Sequence, residues 1–434
     1  MATSVPSIQV LSKENYEDQH IVALPNALPL PPLAPSSLRI QSSILGLTTN
    51  NFTYARMGHL IGSWWDVHPL PSSIPWEFSD ASRYGCISAW GTGVVIESTL
   101  PPDSSVQVGS HMYGYFPIGT LPIDMQVELS ANVAGQFTEV STRRSKLMPL
   151  YNRYNLQSAA STIQSLGYDA LFRVLFETGY LMNRFVFAWN ASERVHPAAE
   201  PGQPGVELIG DNSIDSNTTV ILFAASGKTA LGFAHQLKHA RPEGQQPCQI
   251  VAVGSEATRS FTQGTGYFDA VLTYDADEST SLQTDLGLDA NAKIFVVDFG
   301  ARGGAADRWA AKLQSLAKQV TIYSVGSEAV CDSPTATLQK LIARSKTERV
   351  QINASGMRSQ ALVLLGEKAY YEHFLTTWQT FLKTGGIEGL KLVWGEGLDG
   401  YAAGWERLSK GKVGPDEGLV YDLSSALPGG QRAT

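Results

Sequence analysis

Apolar and polar positions alternate along Leu38-Arg39-Ile40-Gln41-Ser42-Ser43-Ile44-Leu45, the period of a half-buried strand. A stretch carrying Pro25, Pro29, Pro31, Pro32 and Pro35 precedes it and reads as extended chain. Up to about residue 150 the punctuation stays β-like. Gly91-Thr92-Gly93 leads into Val94-Val95-Ile96, Val108-Gly109 precedes Met112 to Phe116, and Gly135 precedes Phe137 to Val140. Short strands with Gly and Pro turns predict a barrel-like domain. After Tyr154 the pattern changes. Residues 156 to 189 lack proline and place Leu171, Val174, Leu175, Leu181 and Phe185 at helical spacing, while Ala198 to Asn217 reads as a surface loop.

Beyond that loop, continuous apolar runs alternate with helical segments. Thr219 to Phe223, Gln249 to Val253, Ala270 to Leu272, Ile294 to Val297 and Val320 to Tyr323 are predicted strands, with helices at Ala230 to His239 and Ala305 to Ala317. Such a series implies a parallel sheet covered on both faces. The last segment predicts a helix from about Ser359 to Lys383, another around Tyr401 to Ser409, and a strand at Gly418 to Tyr421. The domains expected are residues 1–165 with 350–434, β-rich, and 166–349, with the parallel sheet.

Charge and composition narrow the function. The chain of 434 residues carries 32 basic and 40 acidic side chains, a net charge of −8, which argues against a nucleic-acid surface. Three scattered cysteines, Cys86, Cys248 and Cys331, suit neither a disulfide framework nor a clustered-thiolate zinc site. No apolar run has the length of a signal peptide or membrane span, so a cytoplasmic protein is expected.

The stretch Phe223-Ala224-Ala225-Ser226-Gly227-Lys228-Thr229-Ala230-Leu231-Gly232 turns from the first strand of the parallel sheet into its helix, where amide groups favour a phosphate. Gly227-Lys228-Thr229 mimics the end of a P-loop, but that motif requires glycine where Leu222 stands. The dinucleotide fingerprint is incomplete as well, since Ala224, Ala225, Ser226 and Gly227 permit a tight turn with the wrong glycine spacing. A plain helix–sheet turn without ligand competes with both. The second strand ends at Gly254-Ser255, where an NAD enzyme places a carboxylate for the ribose. With Ser255 there, and Lys228 and Arg259 near it in sequence, a bound dinucleotide is expected to be NADPH. Arg259 also reads as an ordinary solvated helix residue.

From Ser37 onward the chain resembles the medium-chain dehydrogenase/reductase superfamily, whose nucleotide domain is inserted into a GroES-like catalytic domain. The likeness rests on Leu38 to Asn51, on Gly91-Thr92-Gly93-Val94-Val95-Ile96-Glu97, on Val108 to Gly114 with Ser110 in place of the usual Asp, and on Lys410 to Gly414 followed by Gly418-Leu419-Val420. Asn50 to Ala55, Tyr113 to Pro117, Pro149 to Tyr154 and the Ser-x-Lys-Thr turn resemble an uncharacterised fungal and bacterial branch. The resemblance implies an α/β fold of GroES-like and Rossmann-type domains, and a zinc-independent, quinone- or enoyl-reductase-like chemistry. Zinc-dependent members carry Cys and Gly-His-Glu where this chain has Leu47 to Asn50 and Ser88-Ala89-Trp90, so no metal is expected.

Without a metal, an oxyanion needs hydroxyl, amide or backbone donors. Tyr54 and Asn51 lie in the turn that the resemblance aims at the cofactor, and His59 follows as a proton donor. Each also has a structural alternative: core packing, backbone capping or solvation. The run Trp64-Trp65-Asp66-Val67-His68-Pro69-Leu70-Pro71, with Trp76 and Phe78, reads as the wall of a pocket for a polyketide-like substrate or as core. The expected activity is NADPH-linked reduction of a conjugated carbonyl on a bulky apolar metabolite. The alternatives are a redox-neutral lyase, isomerase or cyclase on the same fold, or a non-catalytic binding protein. A small-molecule substrate is expected, with no nucleic-acid or membrane partner and a possible homodimer.

Overall fold

A computed structural model describes residues 5–58, 64–199, 203, 211–279, 281–289, 291–328, 333–344 and 348–427. In chain order it contains β1 (Ser7–Ser12), β2 (Gln19–Ala23), β3 (Ser37–Leu47), α1 (Thr49–Met57), β4 (Tyr84–Gly85), β5 (Ser88–Ser98), β6 (His111–Pro117), β7 (Ile123–Leu129), β8 (Gln136–Glu139), β9 (Arg153–Leu156), α2 (Ile163–Tyr168) and α3 (Val174–Leu181). There follow β10 (Thr218–Phe223), α4 (Lys228–His239), β11 (Gln249–Gly254), α5 (Glu256–Gly264), β12 (Ala270–Thr273), α6 (Leu282–Asp285), β13 (Lys293–Asp298), α7 (Ala305–Leu313), β14 (Gln319–Ser324) and α8 (Pro334–Arg344). The chain closes with β15 (Val350–Gln351), α9 (Ala354–Leu365), α10 (Glu367–Lys383), β16 (Lys391–Glu396), α11 (Gly397–Ser409) and β17 (Glu417–Asp422).

Two compact units result. One comprises Met1–Arg173, Val330–Ala343 and Lys391–Thr434, the other Val174–Ala329 and Arg344–Leu390. Residues 350–390, expected with the β-rich domain, therefore belong to the other unit. The reason is local: β15 adds to the parallel sheet beside β14, and Arg358 of α9 forms a buried ion pair with Glu177 of α3. The single helix expected over 359–383 is two, broken at Gly366, whose φ of +79° suits glycine.

In the first unit an eight-stranded sheet runs β16-β17-β3-β5-β6-β9-β8-β7, and β7 pairs back onto β3. Six of these strands thus close a ring, the barrel that the short strands predicted, and the end of β3 that β7 does not reach, Ile44 to Leu47, pairs with β17. Strand β3 is buried along its whole length rather than half-buried as its alternation predicts. Its polar side is satisfied internally: Arg39 Nε donates to Asp124 at 2.7 Å, and the Ser43 and Thr92 hydroxyls share a hydrogen bond at 2.9 Å. Over the other side the backbone passes close, because a Cβ at Gly46 would lie 2.3 Å from the Ala170 carbonyl.

The same unit encloses an ion pair. Arg144 Nε lies 2.8 Å from Glu139 Oε2 with neither side chain exposed, the N–H turned off the line of a good hydrogen bond. Arg144 Nη2 donates to the Tyr154 phenol at 2.7 Å and Nη1 to the Tyr151 carbonyl at 3.1 Å, while Arg143 Nη2 reaches Glu139 Oε1 at 2.9 Å.

In the second unit six parallel strands run β12-β11-β10-β13-β14-β15. Leu222, Val253 and Val297 are fully buried, and Trp309 of α7 anchors a helix on the sheet by donating to the Tyr274 carbonyl at 2.8 Å. The helical region expected over 156–189 begins instead as β9 and resumes as α2 and α3, with wide π turns at Asp169–Arg173 and Met182–Val186. Among the described residues no helix is long and apolar enough to cross a membrane.

A pH dependence follows from α4. Burial first, and His239 second, lower His235 from 6.5 to about 4. Its ring packs on Phe381 with 4.9 Å between centroids. An unfolded imidazole titrates near ~6.5, so the stabilisation is present above that pH and is lost as pH falls toward the folded value. Urea midpoints are expected to drop between pH 6.5 and 4. Replacing His235 with Phe should flatten that drop, and an unchanged slope would assign it to other groups.

Candidate functional site

Strand β10 stops at Phe223, level with Val253 of β11 and Asp298 of β13, so their following loops share the carboxyl edge of the sheet. The chain turns there through Ala224, with φ +53°, and the Gly227 N–H donates back to the Ala224 carbonyl at 2.9 Å. That left-handed conformation costs an L residue about 1–2 kcal/mol, and it occurs where the dinucleotide fingerprint uses glycine. Gly227 then caps α4 without bringing a side-chain acceptor to the first-turn amides. Ser226, Lys228 and Thr229 are half-buried around it. A glycine cap and first-turn amides can take a phosphate group.

At the next strand, Ser255 caps α5, its hydroxyl 3.4 Å from that of Thr258. Arg259 is exposed on α5 and lies 3.4 Å from the carboxylate of Glu256. Sequence reasoning passed over Glu256, which opens α5 directly after Ser255 and partly neutralises the arginine expected to meet a 2′-phosphate. It also passed over Asp298. This residue, 2% exposed, accepts from the amides of Gly300 at 2.9 Å and Ala301 at 2.7 Å and from Arg349 at 3.0 Å. It fixes the loop beside the β10 turn. The visible signal was an acid ending an apolar strand just before glycine.

Asn51 and Tyr54 come together on α1 of the β-rich unit. Asn51 closes a capping box, accepting from the Thr48 amide at 3.0 Å and donating to the Ser88 carbonyl at 3.3 Å. Both ends of its side chain are thus engaged. The Tyr54 phenol oxygen accepts from Asn50 Nδ2 at 2.6 Å and Trp90 Nε1 at 2.9 Å. Its ring, 1% exposed, is surrounded by Trp64 at 5.1 Å, Tyr115 at 5.2 Å and Tyr151 at 5.7 Å between centroids. Burial, reinforced by Tyr151 and Tyr115, pushes its ionisation well above that of a free phenol, so it is a neutral donor and acceptor rather than a base. His59 lies outside the described residues.

The tryptophan-rich segment divides. Trp64 and Trp65 are core, Trp65 donating to the Ala55 carbonyl at 3.1 Å, whereas Trp76 is 86% exposed. Among the described residues no three His, Cys, Asp or Glu side chains gather into a metal-binding group.

A closed β ring carrying β16 and β17, interrupted in sequence by a six-stranded parallel sheet of order β12-β11-β10-β13-β14-β15, is the fold of the medium-chain dehydrogenase/reductase superfamily, with its GroES-like and Rossmann-type parts. Within that fold the chain belongs to the family described as "Protein of unknown function (DUF2855)", whose model matches residues 45–414. It is similar in structure to a complex of Etr1p with NADP and crotonyl-CoA, at 11% identity and a TM-score of 0.55, covering 96% of this chain and 100% of the other. It is also similar to CurA from Vibrio vulnificus in complex with NADPH, at 12% identity, TM-score 0.53 and coverage of 96% and 99%. The CurF ER cyclopropanase of the curacin A biosynthetic pathway aligns at 12% identity, TM-score 0.52 and the same coverage, 96% and 99%. No curated protein sequence matches the chain.

Proposed function

We propose that this protein is a zinc-independent, NADPH-linked reductase of a conjugated carbonyl in a bulky apolar small molecule, acting in the cytoplasm. The observation that carries the reading is the glycine-capped turn of Ser226, Gly227, Lys228 and Thr229 at the carboxyl edge of β10. The likeness of fold to the NADPH complex of CurA and the NADP and crotonyl-CoA complex of Etr1p supports it. In this reading the first-turn amides of α4 and Lys228 hold the pyrophosphate, and Ser255 and Arg259 meet the ribose phosphate. The bound nicotinamide supplies hydride. Within the β-rich unit, Tyr54 is the candidate donor to a carbonyl oxygen that gains charge, since Thr48 and Ser88 already engage both ends of the Asn51 amide.

Titration of nicotinamide fluorescence tests it. NADPH is expected to bind more tightly than NADH. Lys228→Ala should weaken NADPH by roughly tenfold or more, the scale of one charge-assisted hydrogen bond. Arg259→Ala should cost less, because Glu256 already shares that guanidinium. Equal affinity for the two nucleotides refutes the preference. Turnover should also survive prolonged chelation, since Leu47 to Asn50 and Ser88 to Trp90 offer no zinc ligands. Loss on chelation that zinc restores would overturn the metal-free mechanism.

One observation favours the redox-neutral reading, a lyase, isomerase or cyclase. Ala224 occupies the left-handed position of the turn, where the fingerprint has its first glycine, and Ser226 stands two residues on, where a second glycine lets the backbone approach a pyrophosphate. Failure of wild-type protein to bind either nucleotide would select that reading.

A further inference from the structure

We propose that the β-rich unit carries a second ligand site, a preformed apolar cavity beside His68 that takes a compact uncharged hydrophobe bearing one carbonyl or hydroxyl oxygen. The cavity is half open and holds about 280 Å³, near the small end of ligand pockets. Pro31, Pro69, Pro71, Pro117 and Pro122 form much of its wall. Proline rings fix their own backbone torsions, so little ordering is required when a ligand enters. Ile8, Ile118 and Leu121 complete an apolar lining, and neither Asn51 nor Tyr54 belongs to it.

Charges near the cavity are balanced. Both Asp124 oxygens bind Arg39, at 2.7 and 2.9 Å, Arg39 also pairs with Glu97, and Arg143 and Arg144 share Glu139. Arg143 Nη2 bonds the Asp124 carbonyl at 2.6 Å and Glu139 at 2.9 Å, while its Nε is buried without a hydrogen-bond partner among the described residues. A charged ligand would lose its hydration there and leave its charge unbalanced. His68 remains. It lines the cavity, is 8% exposed, and has one described hydrogen bond, from Arg144 Nη2 at 3.5 Å to Nε2. A guanidinium only donates, so Nε2 accepts and the ring proton sits on Nδ1, which has no partner among the described residues. Burial, together with Arg144 and Arg143, keeps the ring neutral by lowering its pKa well below the usual value. An apolar cavity with unused N–H donors at His68 Nδ1 and Arg143 Nε selects a neutral molecule with an acceptor oxygen.

The test uses the full chain and two fluorinated probes followed by ¹⁹F NMR, 4-fluoroacetophenone and its ketone-free counterpart 1-ethyl-4-fluorobenzene. Wild type is expected to bind the ketone roughly tenfold more tightly, the scale of one buried hydrogen bond. Leu121→Trp, at a half-buried position, should fill the cavity and abolish binding of both. His68→Phe should reduce the preference for the ketone, and Tyr54→Phe should leave both affinities unchanged. Failure of wild type to bind, binding retained in Leu121→Trp, or loss in folded Tyr54→Phe would each overturn the site. Cys86, which also lines the cavity, gives a readout that needs no cavity-filling variant. Burial holds its thiol up to about 12, so alkylation is slow. In a Cys248→Ser, Cys331→Ser background, 4-fluoroacetophenone should slow labelling of Cys86 by N-ethylmaleimide. Absence of protection would count against the site whether or not Leu121→Trp folds. These readouts do not involve the nucleotide, so the proposal stands or falls separately from the reductase reading.

Discussion

Glu139→Ala is expected to remove about 3–5 kcal/mol of stability, the scale of a buried ion pair that loses one partner. Arg144 would remain charged and fully enclosed, with the Tyr154 phenol, the Tyr115 and Tyr151 carbonyls and a long contact to His68 Nε2 to solvate it. Arg143 would lose its carboxylate partner too. Equilibrium urea unfolding of the isolated variant measures the loss. The double variant Glu139→Leu, Arg144→Met should recover much of it, because two apolar groups leave no stranded charge. A loss below about 1 kcal/mol in the single variant would mean that Arg144 finds water in the native protein.

For Tyr54→Phe two effects are expected, and they separate. Removing the phenol leaves Trp90 Nε1 without its acceptor inside the core and Asn50 Nδ2 without one at a half-buried position, which should cost about 1–3 kcal/mol of stability. If the phenol also stabilises charge on a carbonyl oxygen, turnover should fall on the order of a hundredfold with little change in KM. Because burial keeps this phenol neutral, the residual and wild-type rates should not titrate with it near neutral pH. A variant that unfolds more easily but turns over its substrate at the wild-type rate would make Tyr54 a structural residue.

The parallel sheet was legible because its strands are uninterrupted apolar runs, and β10, β11 and β13 fall within a residue or two of their predicted spans. Strand β7 was not, since Ile123, Met125 and Val127 alternate with acids and glutamine in a stretch that the proline and glycine turns hide. The split of 359–383 into two helices depended on the backbone at Gly366, which periodicity does not register. At the candidate site, the residue types near Gly227 and Tyr54 could be read, but their engagement could not. Asn51 looks like an available amide until Thr48 and Ser88 are seen to occupy it. Arg259 looks like a phosphate ligand until Glu256 is found beside it. Such pairings are set by which elements meet, and sequence spacing does not report them.

One end of β3 depends on a distant strand, which bears on how the chain is made. Strand β17 pairs Leu419 with Leu47 and Tyr421 with Leu45, across the entire parallel-sheet unit in sequence, whereas β7 reaches only Ser37 to Ile40 of β3. During synthesis the backbone edge of β3 at Ile44 to Leu47 must therefore wait unpaired until Glu417–Asp422 has left the ribosome. Contacts of such separation slow folding and lengthen exposure to aggregation. The parallel sheet has all of its first five strands by Ser324 and can begin to consolidate earlier. A nascent chain halted just before Glu417 should thus be the species most in need of a chaperone.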